Sequence, residues 1–328
     1  MKATTLRRSI FGVIVAGVTI TALVNAASSG GEATARSKLV LMAPASAGGG
    51  WDSFAREAQQ ALKANSIVNN VQVVNVPGAG GTIGLSQLAG MPGRQDMMMA
   101  TGGVMVGAVE LAASGATMAD ATPIARLADD YNVLVVAADS EIETLDDFLE
   151  VWEADPGGTS IAGGSLGSID HLLSGQIAQS IDIDPSIINY IAYAGGGSEV
   201  ITAILSGTTT AGLPGYNEVS DQIEAGNLRP LAISSAERLP SADVPTFMEQ
   251  GLDVEMANWR GYLAPPGISD ELRDEFVSIV AEFRETDEWQ DALDRNRWVD
   301  SYMVGDEFEE FLDDEIQISR QLVKDLGL

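Results

Sequence analysis

The chain has 328 residues, 45% of them apolar, with 47 acidic against 18 basic side chains and a formal charge of −29. That length allows two ordinary domains with buried cores, and the charge excludes a nucleic-acid binder that works by neutralising phosphates. The charge also opposes long-range steering of an anion, so an anion site must be locally positive, and the absence of cysteine excludes disulfides, thiolate metal sites and a lipidated cysteine.

In chain order, residues 1–26 read as a secretory signal peptide. Lys2, Arg7 and Arg8 form a basic start, Ile10 to Val24 an uncharged apolar run, and Val24-Asn25-Ala26 a small-x-small cleavage pattern. The apolar run is short for an uncleaved membrane anchor, so the expected product is a soluble, exported, acidic protein. After a polar linker, Lys38 to Met42 reads as a strand and Trp51 to Ala64 as a helix, with Phe54, Ala58 and Leu62 on one face. Val71 to Val76 is a strand, Ile83 to Ala89 a short helix, and Asp96 to Thr101 a buried strand. Val133 to Ala137 is a strand, followed by a helix from Thr144 to Trp152 with acidic residues in its first turn. Strands at Thr159 to Ala162, Ile188 to Tyr193, Thr209 to Leu213 and Arg229 to Ser234 alternate with helices at Ile169 to Ser180, Glu199 to Ser206 and Val219 to Ala225. Asp270 to Leu328 reads as two or three amphipathic helices. Strand, loop and helix recurring at this interval predict a parallel α/β architecture.

Four glycine-rich loops follow apolar runs and open helices: Pro44 to Asp52, Pro77 to Thr82, Gly163 to His171, and Tyr193 to Glu199. Glycine lets backbone amides approach a ligand, and the helix start behind it adds partial positive charge. In the first loop the candidates are the Ser46 hydroxyl and the amides of Gly48, Gly49 and Gly50. Trp51 is either a wall of the cleft or packing, and Asp52 either a helix cap or a residue that orients the loop or meets an ammonium group. The second loop offers Gly78, Gly80, Gly81 and the Thr82 hydroxyl; the third offers Ser165, Gly167 and Ser168. His171, the single histidine, is either a buried hydrogen-bonding residue or a carboxylate contact. Gly195, Gly196 and Gly197 form the fourth amide cluster, and Pro214, Gly215 and Tyr216 a candidate far wall. Arg260 is either a bidentate carboxylate contact or half of a salt bridge across the lobes.

Catalytic patterns are missing. No Gly-x-Ser-x-Gly elbow follows a strand, Gly48 to Gly50 lacks the Lys-Ser/Thr of a P-loop, and Gly78 to Gly84 does not space its glycines as a dinucleotide fingerprint does. One histidine without cysteine argues against a metal site. No cofactor is expected. The competing classes are an exported hydrolase or lyase using His171, and a ligand sensor that reports to a membrane kinase.

At Ala47 to Asp52, Val76 to Gly84 and Trp259 to Gly267 the chain resembles the extracytoplasmic solute receptors of tripartite tricarboxylate transporters, the TctC or Bug family. Gly163 to His171, Tyr190 to Glu199, Leu231 to Pro240 and Val244 to Phe247 extend the similarity in order along the chain. The resemblance implies a type II periplasmic-binding-protein fold, two α/β lobes with a hinge and a ligand cleft between them. It implies lobe ranges of 37–136 and 137–234, with 235–328 returning to the first lobe, and crossings near Val133 to Ala138 and Ala232 to Ala236. It further implies a monomeric periplasmic receptor for a small carboxylate, the family's ligands including citrate, dicarboxylates and acidic amino acids, with a tricarboxylate or dicarboxylate expected here. The partner would be a membrane permease of one large and one small subunit. In such receptors loop amides, hydroxyls and ordered water hold the carboxylate.

Overall fold

Leu39–Ala43 (β1) is apolar and buried at all five positions, the pattern of a parallel strand covered on both faces. The computed structural model describes residues 35–112, 115–193 and 196–328; the signal-peptide reading and Gly195 lie outside them. From β1 the chain runs through Gly50–Ala64 (α1), Val71–Asn75 (β2), Thr82–Ala89 (α2), Met97–Gly102 (β3), Gly103–Ala112 (α3) and Thr122–Tyr131 (β4). It then enters a second unit: Val133–Ala137 (β5), Leu145–Ala154 (α4), Ser160–Gly163 (β6), Ile169–Ser180 (α5), Asn189–Ala192 (β7), Gly197–Leu205 (α6), Ala211–Gly212 (β8), Tyr216–Glu224 (α7) and Leu228–Ile233 (β9). Ala257–Ala264 (β10) returns, followed by Asp270–Arg284 (α8), Asp287–Asn296 (α9), Val299–Val304 (β11) and Gly305–Asp325 (α10).

Two sheets result, ordered β11-β4-β10-β3-β1-β2 and β7-β6-β8-β5-β9. Within them β1 runs parallel to β2 and β3, and β6 parallel to β7 and β8. The returning β10 inserts antiparallel between β3 and β4. The α/β expectation is met, with additions. β4, β10 and β11 were not read as strands, nor α3 as a helix. β4 carries Arg126, Asp129 and Asp130 inward and so lacks an apolar run; β10 carries Arg260 and Gly261 and shifts register beside them. Gly261 is required there, because a Cβ would overlap the Ala125 carbonyl oxygen of β4.

Each lobe has its own core. In the first, Phe54 of α1 meets Tyr262, Trp289 and Trp298 at ring-centroid distances of 5.1, 5.6 and 5.9 Å. In the second, Phe148, Trp152, Phe247 and Val254 pack together. Against the expected ranges, β5 and the Phe247 to Val254 stretch therefore pair or pack with the second lobe. The chain changes sheets at Asn132 and again between Ser234 and Met256. Ser234 joins the two crossings: its amide donates to Asn132 O at 2.9 Å, its hydroxyl donates to Met256 O at 2.6 Å, and its carbonyl accepts from Met256 N at 3.0 Å. α8 and α9 pack on the first lobe, whereas α10 reaches across, with Leu322, Val323 and Leu326 against Leu172 of α5.

Thr144 starts α4 with a reciprocal cap: its hydroxyl accepts from Asp147 N at 3.1 Å, and the Asp147 carboxylate accepts from Thr144 N at 2.9 Å. Thr144→Ala is expected to cost about 1 kcal/mol, read as a lower urea midpoint at constant m.

Candidate ligand-binding site

The lobes face each other across a cleft of about 390 Å³ that α1, α3, β4, the β6–α5 loop, the start of α7, β10 and the α9–β11 turn enclose. At its first wall the chain leaves β1 and turns through Gly48, whose φ of +84° calls for glycine. Asp52 holds this turn. It accepts from Gly48 N at 2.7 Å, Arg56 Nε at 2.8 Å and Asn75 Nδ2 at 2.8 Å. The Arg56 hydrogen bond, aided by those from Gly48 and Asn75, pulls its carboxyl down to about 2. With both oxygens engaged and 2% exposure, Asp52 organises the loop and is not a lining residue. Gly48, Gly50 and Trp51 do line the cleft; Ser46 and Gly49 do not. No side chain caps α1 at Gly49, so its first-turn amides remain for a ligand.

The second loop stands behind that wall. Gly78, Gly80, Gly81 and Thr82 are not lining residues. A Cβ at Gly81 would lie 2.9 Å from the Trp51 ring, and one at Gly80 would overlap Ala108 of α3. The Thr82 hydroxyl donates to Ala79 O at 2.9 Å. These glycines make room for neighbouring side chains: Gly78 for Ile83, Gly80 for Ala108, and Gly81 for Met105 and Trp51.

In the second lobe, Ser168 and Gly164 line the cleft, while Ser165 is exposed outside it and Gly167 turns towards Leu111 of α3. His171 lies behind the loop, 4% exposed, accepting from Gly167 N at 3.1 Å through Nδ1 and stacking on Tyr190 at 4.2 Å. Burial pushes it down to about 4, so it is neutral at physiological pH and braces the loop from behind. Gly196 reaches the cleft but Gly197 packs against Glu218. Of Pro214, Gly215 and Tyr216, Gly215 alone lines it; the Tyr216 ring is buried in the lobe's core.

Other lining side chains were not singled out from sequence: Asp130, Asn217, Glu218, Asn258, Asn296 and Trp298. Asp170, read only as a helix-start acid, lines the cleft and accepts from Gly164 N at 2.6 Å and Asn132 Nδ2 at 2.8 Å. Arg260 is 7% exposed, its Nη2 3.3 Å from Asp130 Oδ2 and its guanidinium 5.0 Å above the Trp298 ring. A Cβ at Gly50 would lie 2.6 Å from Arg260 Nη1, so glycine there admits the guanidinium. Arg260 Nε is buried without a hydrogen-bond partner. The salt bridge joins β10 to β4 within the first lobe's sheet rather than crossing between the lobes, and it borders the cleft.

Burial, opposed by Arg260 and reinforced by Glu218, lifts Asp130 to about 7. Burial likewise lifts Asp170 to about 6 against its hydrogen bond from Gly164. For a carboxyl raised on folding, the native state holds the extra proton, so stability falls as pH rises through the raised value. Asp170 titrates mostly below this range, and His171, whose unfolded-state value is 6.5, opposes the fall only at its lower edge, so Asp130 sets the net decline between about pH 6.5 and 7.5. Unliganded protein is expected to lose stability over that interval in urea melts, and Asp130→Asn to flatten the slope whatever its absolute stability. An unchanged slope would refute the assignment.

Among the described residues no cluster of metal-ligating side chains is gathered, and no helix is long and apolar enough to cross a membrane. Residues 54–328 match the model of the tripartite tricarboxylate transporter family receptors, TctC. Protein BugT of Bordetella pertussis is 30% identical over 240 residues, spanning 71% of this chain and 72% of its own. A TctC solute-binding protein from Polaromonas superposes with TM-score 0.74 at 25% identity, covering 88% of this chain and 98% of that one. The R. palustris protein Rpa4515 with adipate gives TM-score 0.75 at 22% identity, covering 88% and 97%. This family consists of periplasmic substrate-binding receptors, not enzymes. With a two-lobed fold around a cleft and a family match along most of its length, the chain belongs to the tripartite tricarboxylate transporter receptors of the TctC/Bug family.

Proposed function

We propose that this chain is exported through its signal peptide and acts as a monomeric periplasmic receptor. It captures a small carboxylate and delivers it to a membrane permease of one large and one small subunit. Arg260 carries the reading. It is a nearly buried guanidinium at the cleft wall, against Gly50 at the uncapped N-terminus of α1. A carboxylate placed there meets a charged fork and helix-start amides in a cleft that lobe closure would shield from bulk water. That local field answers how a chain of net charge −29 can hold an anion. The adipate-bound and malate-bound neighbours from Rhodopseudomonas palustris support an organic-acid ligand. Hinge motion about Asn132 and Ser234 would close the second lobe over it.

The test is calorimetry of the stripped protein with a panel of small organic acids, read with uptake in a deletion strain. Saturable binding without product, together with lost uptake, is the expected result. Turnover of a panel acid that disappears in His171→Ala would replace the receptor with an enzyme. Binding with unimpaired uptake would replace it with a sensor.

A further inference from the structure

Among the described residues whose charged side chains line the cleft, Arg260 alone is cationic, while Asp130, Asp170 and Glu218 are carboxylates. Arg260 offsets Asp130, and Asp170 is held by two neutral donors. Glu218 has neither a side-chain hydrogen bond nor an ion pair among the described residues, and it acts on Asp130 and Asp170 as a like charge. The protein therefore leaves negative charge in this cleft that it does not itself balance.

The surplus has a location. A Cβ at Gly215 would lie 3.1 Å from Asn217 Oδ1, 3.2 Å from Asp130 Oδ2 and 3.6 Å from Glu218 Oε2. Three acceptor oxygens thus converge on the face that glycine leaves open, and Asn217 Oδ1 is buried without a partner. An ammonium group carries three N–H donors and one positive charge, which matches three acceptors and the missing charge together. Arg260, 3.3 Å from Asp130 Oδ2, and the start of α1 form the adjoining, anion-accepting pole, where Arg260 Nε is also unpartnered.

Building on the carboxylate-receptor reading, we infer that the ligand is a zwitterion, a small amino acid with one carboxylate and net charge zero. Its carboxylate lies at Arg260 and Gly50, and its ammonium between Asp130, Asn217 and Glu218. A second carboxylate at that end would face two carboxylate side chains, Asp130 and Glu218, and the Asn217 oxygen, which disfavours dicarboxylates and tricarboxylates. The cleft volume of about 390 Å³ suits a molecule of this size.

The experiment is calorimetry on protein refolded free of endogenous ligand, at about pH 8 so that Asp130 is ionised. Neutral L-amino acids are compared with their desamino twins and with succinate and citrate. At least one amino acid is expected to bind, and its desamino twin to bind roughly a hundredfold more weakly through loss of charge-assisted hydrogen bonds. Glu218→Gln should weaken the amino acid roughly tenfold while the exposed, unpartnered position leaves the melting temperature of the unliganded protein unchanged or raised. Succinate or citrate binding while every amino acid fails would overturn the inference and leave the carboxylate receptor standing. So would diacid binding that strengthens as pH falls through the Asp130 range, since protonated Asp130 would then donate to a second carboxylate. Failure of all the acids, with or without nitrogen, would remove both readings.

Discussion

Arg260→Met is expected to reduce ligand affinity by roughly two to three orders of magnitude, because it takes the charged fork from a dry site. The guanidinium is 7% exposed, stacked over Trp298 and threaded past Gly50, so neither water nor a neighbouring cation replaces it. Breaking a buried ion pair by removing one partner typically costs about 3–5 kcal/mol of stability. Here the cost falls below that at neutral pH. Asp130 already sits near 7 with Arg260 pulling it down; without Arg260 it rises further and escapes as the neutral acid. The expected signature is a large binding loss, a modest fall in melting temperature at about pH 6, and a larger one at about pH 8. Arg260→Met combined with Asp130→Asn should recover stability at the higher pH and recover no binding. Arg260→Lys should not rescue affinity either, since a point charge lacks the planar fork. Calorimetry and melts of the four proteins read all of this, and affinity within a few-fold of the parent in Arg260→Met would remove Arg260 from the site.

The alternation of strands and helices was legible because strands covered on both faces leave continuous apolar runs, whether parallel to their neighbours, as Leu39–Ala43 is, or antiparallel, as Val133–Ala137 is. β4 and β10 escaped for the opposite reason. Their inward positions include Asp130 and Arg260, tolerable only because the two strands bring them together across 130 residues of chain. No local pattern reports such a pair. The glycine loops were visible, but a glycine in sequence does not say what its open face admits. Gly50 admits Arg260 and Gly215 faces the acceptor triangle, whereas Gly80 and Gly81 make room for Ala108 and Trp51. His171 drew notice by being unique, yet the structure uses it to brace a turn. Glu218 stayed hidden because an acidic residue in a first helical turn ordinarily signals only a helix start. Its place beside Gly215 and Asp130 is a product of tertiary structure.

Gly107→Ala should act on closure. Gly107 lies on α3, in the first lobe, where a Cβ would overlap the Gly167 carbonyl oxygen of the second lobe and approach Leu172 Cδ1 to 3.1 Å. One turn earlier, a Cβ at Gly103 would lie 2.7 Å from Ile169 Cδ1. The lobes therefore meet through a seam in which glycine sets the separation, and the blocking atom is backbone, which cannot rotate aside. Alanine favours the helix by up to about 1 kcal/mol over glycine, so the first lobe alone is not weakened. The overlap instead penalises the arrangement in which the lobes meet along this seam, one that closure over a ligand has to keep, by about 1–3 kcal/mol for a single overpacked group. Since affinity follows the population of the closed state, the ligand should bind up to roughly a hundredfold more weakly. The lobes stay joined at the far end of α5, where Leu326 packs on Gly175 and Gln179 donates to Asp325 at 2.8 Å. The liganded variant should accordingly show a larger radius of gyration by small-angle scattering than the liganded parent, with unfolding still a single transition. Unchanged affinity and unchanged radius would mean that the α3–α5 seam does not limit closure. Weakened binding without expansion would place the effect in the cleft itself, at Val104 one helical turn from Gly107, and not in the hinge.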